Sequence, residues 1–174
     1  MAKILLGVTG SIAAYKAAEL VRGLVKSGVE VRCVMTEAAA QFVTPLALSV
    51  LSKNPVARNM HDPALWDMAH LEMAGWADAV VIAPATADFI ARLAGGRAEG
   101  LLDSLVLAVK VKVAVCPAMD TEMWEHPATQ ANVARLRQYG YEIWGPENGL
   151  LASGKTGWGR LLDVSEIVKR VLAR

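Results

Sequence analysis

The chain has 174 residues, 54% of them hydrophobic and 20% charged, a composition that fits one folded domain with an ordinary core and excludes intrinsic disorder. Eighteen Lys and Arg against seventeen Asp and Glu leave a formal charge of +1 with no like-charge block, so neither a nucleic acid nor a membrane surface is an expected partner. No apolar run approaches the roughly 20 residues that span a bilayer, the N-terminus lacks a signal-peptide core, and Cys33 and Cys116 form neither a disulfide framework nor a metal spacing, so a soluble cytoplasmic protein is expected.

Lys3–Val8 is a short apolar run ending in Thr9-Gly10-Ser11, the pattern of a buried parallel strand that runs into a turn. From Ala14 the period changes. Ala14, Ala17, Ala18, Val21, Leu24 and Val25 share one helical face, charged residues take the other, and Gly28 closes the helix. Val29–Met35 is the second strand. Ala39–Ser52 reads as helical with a break near Pro45, which suits a first helical turn. Further strands are predicted at Val80–Ala83, Lys112–Cys116 and Tyr141–Trp144, with helices at Ala87–Leu93, Leu101–Val109 and Pro127–Tyr139. A last helix covers Asp163–Leu172, with Asp163 at its start. Short, wholly apolar strands alternating with helices predict an α/β fold, a doubly wound parallel sheet in a single domain. Ligands then bind beyond the carboxyl ends of the strands.

Unusual residues gather at those ends. Gly7-Val8-Thr9-Gly10-Ser11-Ile12-Ala13-Ala14-Tyr15-Lys16 reads either as an anion seat at a helix start or as a capped strand–helix turn. It matches neither the dinucleotide fingerprint nor the nucleotide-hydrolase loop. Thr36 stands at the second strand end with Glu37 one position beyond, which fits a mononucleotide better than NAD. Ala83-Pro84-Ala85-Thr86-Ala87-Asp88-Phe89 leaves room for a flat ring, or else simply caps a helix. Cys116–Trp124 crowds two Met, a Trp and two acids into a surface loop. His70 precedes the third strand and is either a packed residue or a base. Leu151–Arg160, with three glycines in six residues beside Lys155, reads as a mobile loop able to close over an anion.

Together these segments resemble the flavin-containing cysteine decarboxylases, above all those of coenzyme A biosynthesis, over nearly the whole chain from Gly7 to Arg160. Ala83–Asp88 is similar to that family's flavin motif, Pro117–Trp124 to its substrate motif, and Leu151–Arg160 to its substrate clamp. The resemblance implies a Rossmann-like, flavodoxin-like three-layer sandwich spanning 1–174 that binds FMN. It also implies an activity, the decarboxylation of 4'-phosphopantothenoyl-L-cysteine to 4'-phosphopantetheine. That reaction runs by oxidation to a thioaldehyde, loss of CO2 to an enethiol, and re-reduction. Carried across by position, Gly10, Ser11 and Ile12 hold the FMN phosphate with Thr36. Thr86, Ala87, Asp88, Phe89 and Ala118 line the ring. His70 is the acid/base, Ser153 stands where the family's cysteine protonates the product, and Asp120, Met123, Trp124, Lys155 and Arg160 meet the substrate. No metal is implied.

Three positions depart from the family pattern: Asp88 and Asp120 replace amides, and Ser153 replaces the clamp cysteine. An ionised Asp120 facing a carboxylate needs a cation such as Lys155 or Arg160 beside it, and a serine hydroxyl is a far weaker acid than a thiol. These departures leave open a peptidyl-cysteine decarboxylase, a dipicolinate synthase flavoprotein subunit or an FMN-binding subunit without activity; a flavin prenyltransferase fits the substrate motif and clamp less well. The resemblance further implies a homotrimer or homododecamer with FMN between subunits, and a CTP-dependent synthetase domain or protein as partner.

Overall fold

The computed structural model describes residues 1–61 and 69–174. Among them the strands are β1 (Lys3–Val8), β2 (Glu30–Met35), β3 (Ala79–Ala85), β4 (Val113–Pro117), β5 (Glu142–Ile143), β6 (Glu147–Leu150) and β7 (Thr156–Arg160). The helices are α1 (Lys16–Lys26), α2 (Pro45–Ser52), α3 (Ala69–Trp76), α4 (Ala87–Ala94), α5 (Leu101–Ala108), α6 (Thr121–Glu125), α7 (Pro127–Gln138) and α8 (Val164–Leu172). Strands β1 to β5 form one parallel sheet in the order β2-β1-β3-β4-β5, and β6 pairs with β7 as a separate antiparallel hairpin.

Because side chains alternate along a strand, both faces of this sheet are apolar and both must be covered. Ile4, Leu6 and Val8 of β1 pack with α1, α2 and α8 on one face, through Leu20, Leu24, Leu48 and Ile167. Leu5, with Val80 and Ile82 of β3, packs on the other face against α3, α4, α5 and α7, through Met73, Phe89, Leu105 and Leu136. The result is three layers. No helix among the described residues is long and apolar enough to cross a membrane.

The predicted strands and most helices stand within a few residues of their expected places, and Asp163 caps α8 by accepting from Ser165 N at 2.9 Å. Four segments differ. The stretch from Ala39 splits into a turn of 3-10 helix at Ala39–Gln41 and α2, which Pro45 opens behind the cap Thr44. The residues after Asp120 form the short helix α6 instead of a loop. His70 lies on α3, a helix the apolar pattern does not announce. The glycine-rich segment near the end is the β6–β7 hairpin, a paired structure in place of a mobile loop.

The strand order reverses between β1 and β3, and the crevice above such a point is where this architecture binds ligands. One side chain ties the two strand ends together there. Thr9, 1% exposed, donates its Oγ1 hydrogen to Pro84 O at 2.8 Å and accepts from Thr86 N at 3.0 Å. Thr9→Val keeps the shape, strands Thr86 N and leaves Pro84 O only the bond from the residue 9 N–H at 3.3 Å, so urea unfolding should show a loss of about 1 kcal/mol; an unchanged midpoint would remove Thr9 from this role.

Candidate functional site

Loops leaving the carboxyl edge of the sheet enclose two cavities. The first, about 700 Å³, lies over the β1/β3 reversal. Thr9 and Gly10 form its floor. Its walls are Met35–Ala38 after β2, Thr86–Phe89 after β3 and Glu99–Asp103 at the start of α5, with Met123 of α6 at one side. The second, about 570 Å³, lies between the start of the first helix, the Ala118–Asp120 loop after β4 and the β6–β7 hairpin. Gly10 lines the first and Ser11 the second, so the turn after β1 is the ridge between them.

That ridge is bare backbone by necessity. A Cβ on Gly10 would stand 2.5 Å from the Ala38 Cβ, so the two loops touch only because residue 10 has no side chain. Ser11 caps the 3-10 turn Ile12–Tyr15, its Oγ accepting from Ala13 N at 3.2 Å. The helix that continues into α1 therefore presents its positive end at the ridge. Thr36 Oγ1 accepts from Ala39 N and Thr86 Oγ1 from Phe89 N, at 3.2 and 3.1 Å. The capping readings of Ser11 and Thr86 thus hold, and the caps are what aim these loops at the cavities.

Charges at the rim of the first cavity are paired. Asp88 Oδ2 accepts from Arg92 Nε at 2.9 Å, and Arg92 also lies 3.5 Å from Glu99 and 3.9 Å from Asp103. The buried Asp103 carboxylate accepts from Glu99 N and Gly100 N at 3.0 and 2.8 Å, fixing the wall that α5 contributes. Arg58 meets Glu37 at 3.1 Å across the opening.

At the second cavity the acid that replaces the expected amide is an anion. Asp120 is held below the ordinary carboxylate range, first by side-chain hydrogen bonding with Glu122, then by the Ser153 hydroxyl, and more weakly by the Lys155 charge. Lys155 is in turn raised by its bond to Glu122 and by the charges of Glu122 and Asp120. Arg160 pairs with Glu147 at 2.9 Å, while its Nε is buried without a partner among the described residues. The two thiols take no part. Burial pushes Cys33 and Cys116 each up to about 12 inside the core.

The structure thus divides the expected residues. Gly10, Thr36, Thr86, Ala87, Asp88, Phe89 and Met123 line the first cavity; Ser11, Ile12, Ala118, Asp120, Ser153 and Arg160 line the second. Lys155 sits beside the second on the hairpin turn, and Trp124 packs half-buried on the core. His70 is half-buried on α3 and lines neither cavity of its own chain. The sequence reading passed over Thr9, Arg58, Leu101 and Leu102, which the fold brings to the first cavity. Of these, Thr9 lies inside the turn motif after β1, and the α5 pair had a local signal in Asp103, whose carboxylate accepts from Gly100 N at the helix start.

The chain is similar to known proteins. The family described as Flavoprotein matches residues 1–174. The coenzyme A biosynthesis bifunctional protein CoaBC of Vibrio vulnificus is 50% identical over 167 residues, which cover 95% of this chain and 42% of that protein. The chain therefore spans less than half the length of that relative. A probable phosphopantothenoylcysteine decarboxylase of Streptococcus mutans is 45% identical over 174 residues, covering 97% of this chain and 96% of that one. Among solved structures, a Cys-to-Ser mutant of PPC decarboxylase complexed with pantothenoylaminoethenethiol superposes with a TM-score of 0.89 at 31% identity, covering 99% of this chain and 97% of the other.

Because the folded-state value of Asp120 lies below its ordinary 3.8, its charge contributes to stability at every pH above that value, and the contribution is lost as pH falls through and below it. A carbon-detected NMR titration should place the Asp120 midpoint below 3.8, and Ser153→Ala should move it upward. A wild-type midpoint at or above 3.8 contradicts the reading.

Proposed function

Since this chain belongs to the flavoprotein family, we propose that it is an FMN-dependent decarboxylase acting on 4'-phosphopantothenoyl-L-cysteine to give 4'-phosphopantetheine. The observation that carries the reading is the pair of adjoining cavities that share one bare-backbone ridge at the β1/β3 reversal. The residues present fit a flavin mononucleotide. Gly10 leaves a cradle that a Cβ would fill, and a helix start lies beside it for a single phosphate. The first cavity has the volume of a cofactor site, with Ala38, Ala87, Phe89, Leu101 and Leu102 as apolar lining and charged residues among its walls. Glu37, the one acid near the second strand end, is paired with Arg58.

In this reading the backbone at Gly10, Ser11 and Ile12 holds the phosphate with Thr36, and Thr86, Ala87, Asp88, Phe89 and Ala118 line the ring. When bound, FMN supplies a reversible two-electron sink at the substrate carbon that carries sulfur. His70 takes and returns the proton of the substrate thiol, a task suited to an imidazole near neutral pH. Asp120 positions the substrate in the second cavity, with Met123 reaching it from the first cavity and Trp124 from its place on the core. Lys155 and Arg160 neutralise its carboxylate, which an ionised Asp120 would otherwise repel. Ser153 stands over the carbon that is protonated last.

His70 serves this site from a neighbouring subunit, since it lines neither cavity of its own chain. A homotrimer, free or gathered into a homododecamer, supplies that arrangement. Ile12, Leu46, Val50 and Leu107 are large apolar side chains left more than half exposed, as an assembling surface requires. A cytoplasmic location and a CTP-dependent synthetase partner that makes the substrate belong to the same reading.

Incubating the FMN-loaded protein with 4'-phosphopantothenoyl-L-cysteine and weighing the product should show loss of CO2 alone; unchanged substrate sinks the assignment. His70→Asn should keep the yellow flavin spectrum while turnover falls about 10²–10⁴-fold. Gly10→Val, which cannot form the ridge, should purify colourless.

A further inference from the structure

The β6–β7 hairpin is fixed along one strand and free at its turn. On the fixed side, Met119 N donates to Gly159 O at 3.0 Å, joining β7 to the loop after β4. A Cβ on Gly159 would collide with Met119 O, and one on Gly157 with Thr121 Oγ1. Both glycines therefore let β7 lie directly on the 119–121 backbone. Thr121 Oγ1 is buried there with no hydrogen-bond partner among the described residues, so this contact is close. Across the hairpin, Arg160 reaches Glu147 at 2.9 Å and lies over Gly149.

The turn is built differently. Leu151 N donates to Lys155 O at 2.8 Å and Gly154 N to Leu151 O at 2.9 Å, so its backbone bonds are internal. Ala152, Ser153, Gly154 and Lys155 are exposed. Leu151 is buried at the base of the turn, and what joins the exposed residues beyond it to the body is the Lys155 ammonium, which donates to Glu122 Oε1 of α6 at 2.5 Å, with Ser153 facing Asp120 beside it.

We propose that Glu122 is a positioning residue, the catch that holds the Leu151–Lys155 turn down over the second cavity, and that this turn moves alone while β7 stays seated. An exposed ion pair is the right strength for a catch: worth a few-fold in the closed-to-open ratio, it is made and broken readily and is weakened by salt. Opening the turn uncovers Ser153 and the edge of the cavity without disturbing Arg160, which β7 holds in place. The charge that Lys155 surrenders on leaving Glu122 becomes available to an entering carboxylate. This last consequence rests on the proposed decarboxylase reading, whereas the catch itself does not.

The test is backbone hydrogen–deuterium exchange of the FMN-loaded protein, read by mass spectrometry. In the wild type, amides of 151–155 should exchange faster than those of 156–160. Glu122→Gln should speed 151–155 about two- to fivefold and leave 156–160 unchanged; Glu122→Asp should give a smaller change in the same segment. The exchanged pair Glu122→Lys with Lys155→Glu should restore the wild-type rate, which loss of a merely structural side chain would not allow. Acceleration of both segments together would mean that the whole hairpin swings, and acceleration of neither would remove the catch; either overturns the proposal. With substrate, Glu122→Gln, which leaves the Lys155 charge free for the carboxylate, should lower KM and leave kcat near wild type. If no substrate turns over but the exchange pattern appears as stated, the catch stands and only the chemical reading falls.

Discussion

The Thr9 hydroxyl, shared between Pro84 O and Thr86 N, is the contact on which the rest of the site depends. A parallel sheet hands every chain crossing to a helix, so nothing in the ladder itself fixes where adjacent strands end. At the reversal between β1 and β3 the neighbouring connections depart to opposite faces, and the gap they leave is open to solvent. A buried hydroxyl that both gives and takes a hydrogen bond across that gap sets the distance between the turn after β1 and the start of α4. Ser11, Thr36 and Thr86 then do locally, as caps, what Thr9 does between strands.

Two cavities follow from that frame, and their electrostatics differ. Around the first, Asp88, Glu99 and Asp103 surround Arg92, and Asp103 is further satisfied by two backbone N–H groups. The rim therefore carries more carboxylates than cations, and the positive helix start lies at the ridge. The second has an anionic edge at Asp120 whose neighbours are Lys155 and Arg160, each already matched to a glutamate. Of these pairs the Lys155–Glu122 one is exposed and costs little to break, whereas the Arg160–Glu147 one is part-buried.

At three glycines beside the cavities the missing side chain permits close approach, whereas Gly154 supplies the left-handed conformation of the hairpin turn. Gly10 lets two loops touch, and Gly157 and Gly159 let β7 lie on another backbone. β7 is consequently seated directly on the 119–121 backbone.

The strands, α1, α4 and α8 were legible because their signals are local: unbroken apolar runs, a 3.6-residue period, and caps at Ser11, Thr86 and Asp163. The hairpin was not. Glu147–Leu150 and Thr156–Arg160 contain two large apolar side chains, Leu150 and Trp158, and both are exposed, so no alternation marks them as strands. Helix α6 has too few residues to show a period. The candidate residues were readable one by one from their segments. Their division between two cavities, the entry of Leu101, Leu102 and Arg58 into the first, and the remoteness of His70 from both were settled only when separate strand ends came together. The amino-acid sequence by itself determined which segments form the layers and where the loops lie, since periodicity and capping act within a few residues. Which loops touch, and which glycine faces which backbone atom, was decided by the tertiary structure, because those contacts join residues far apart in the chain and leave no local pattern.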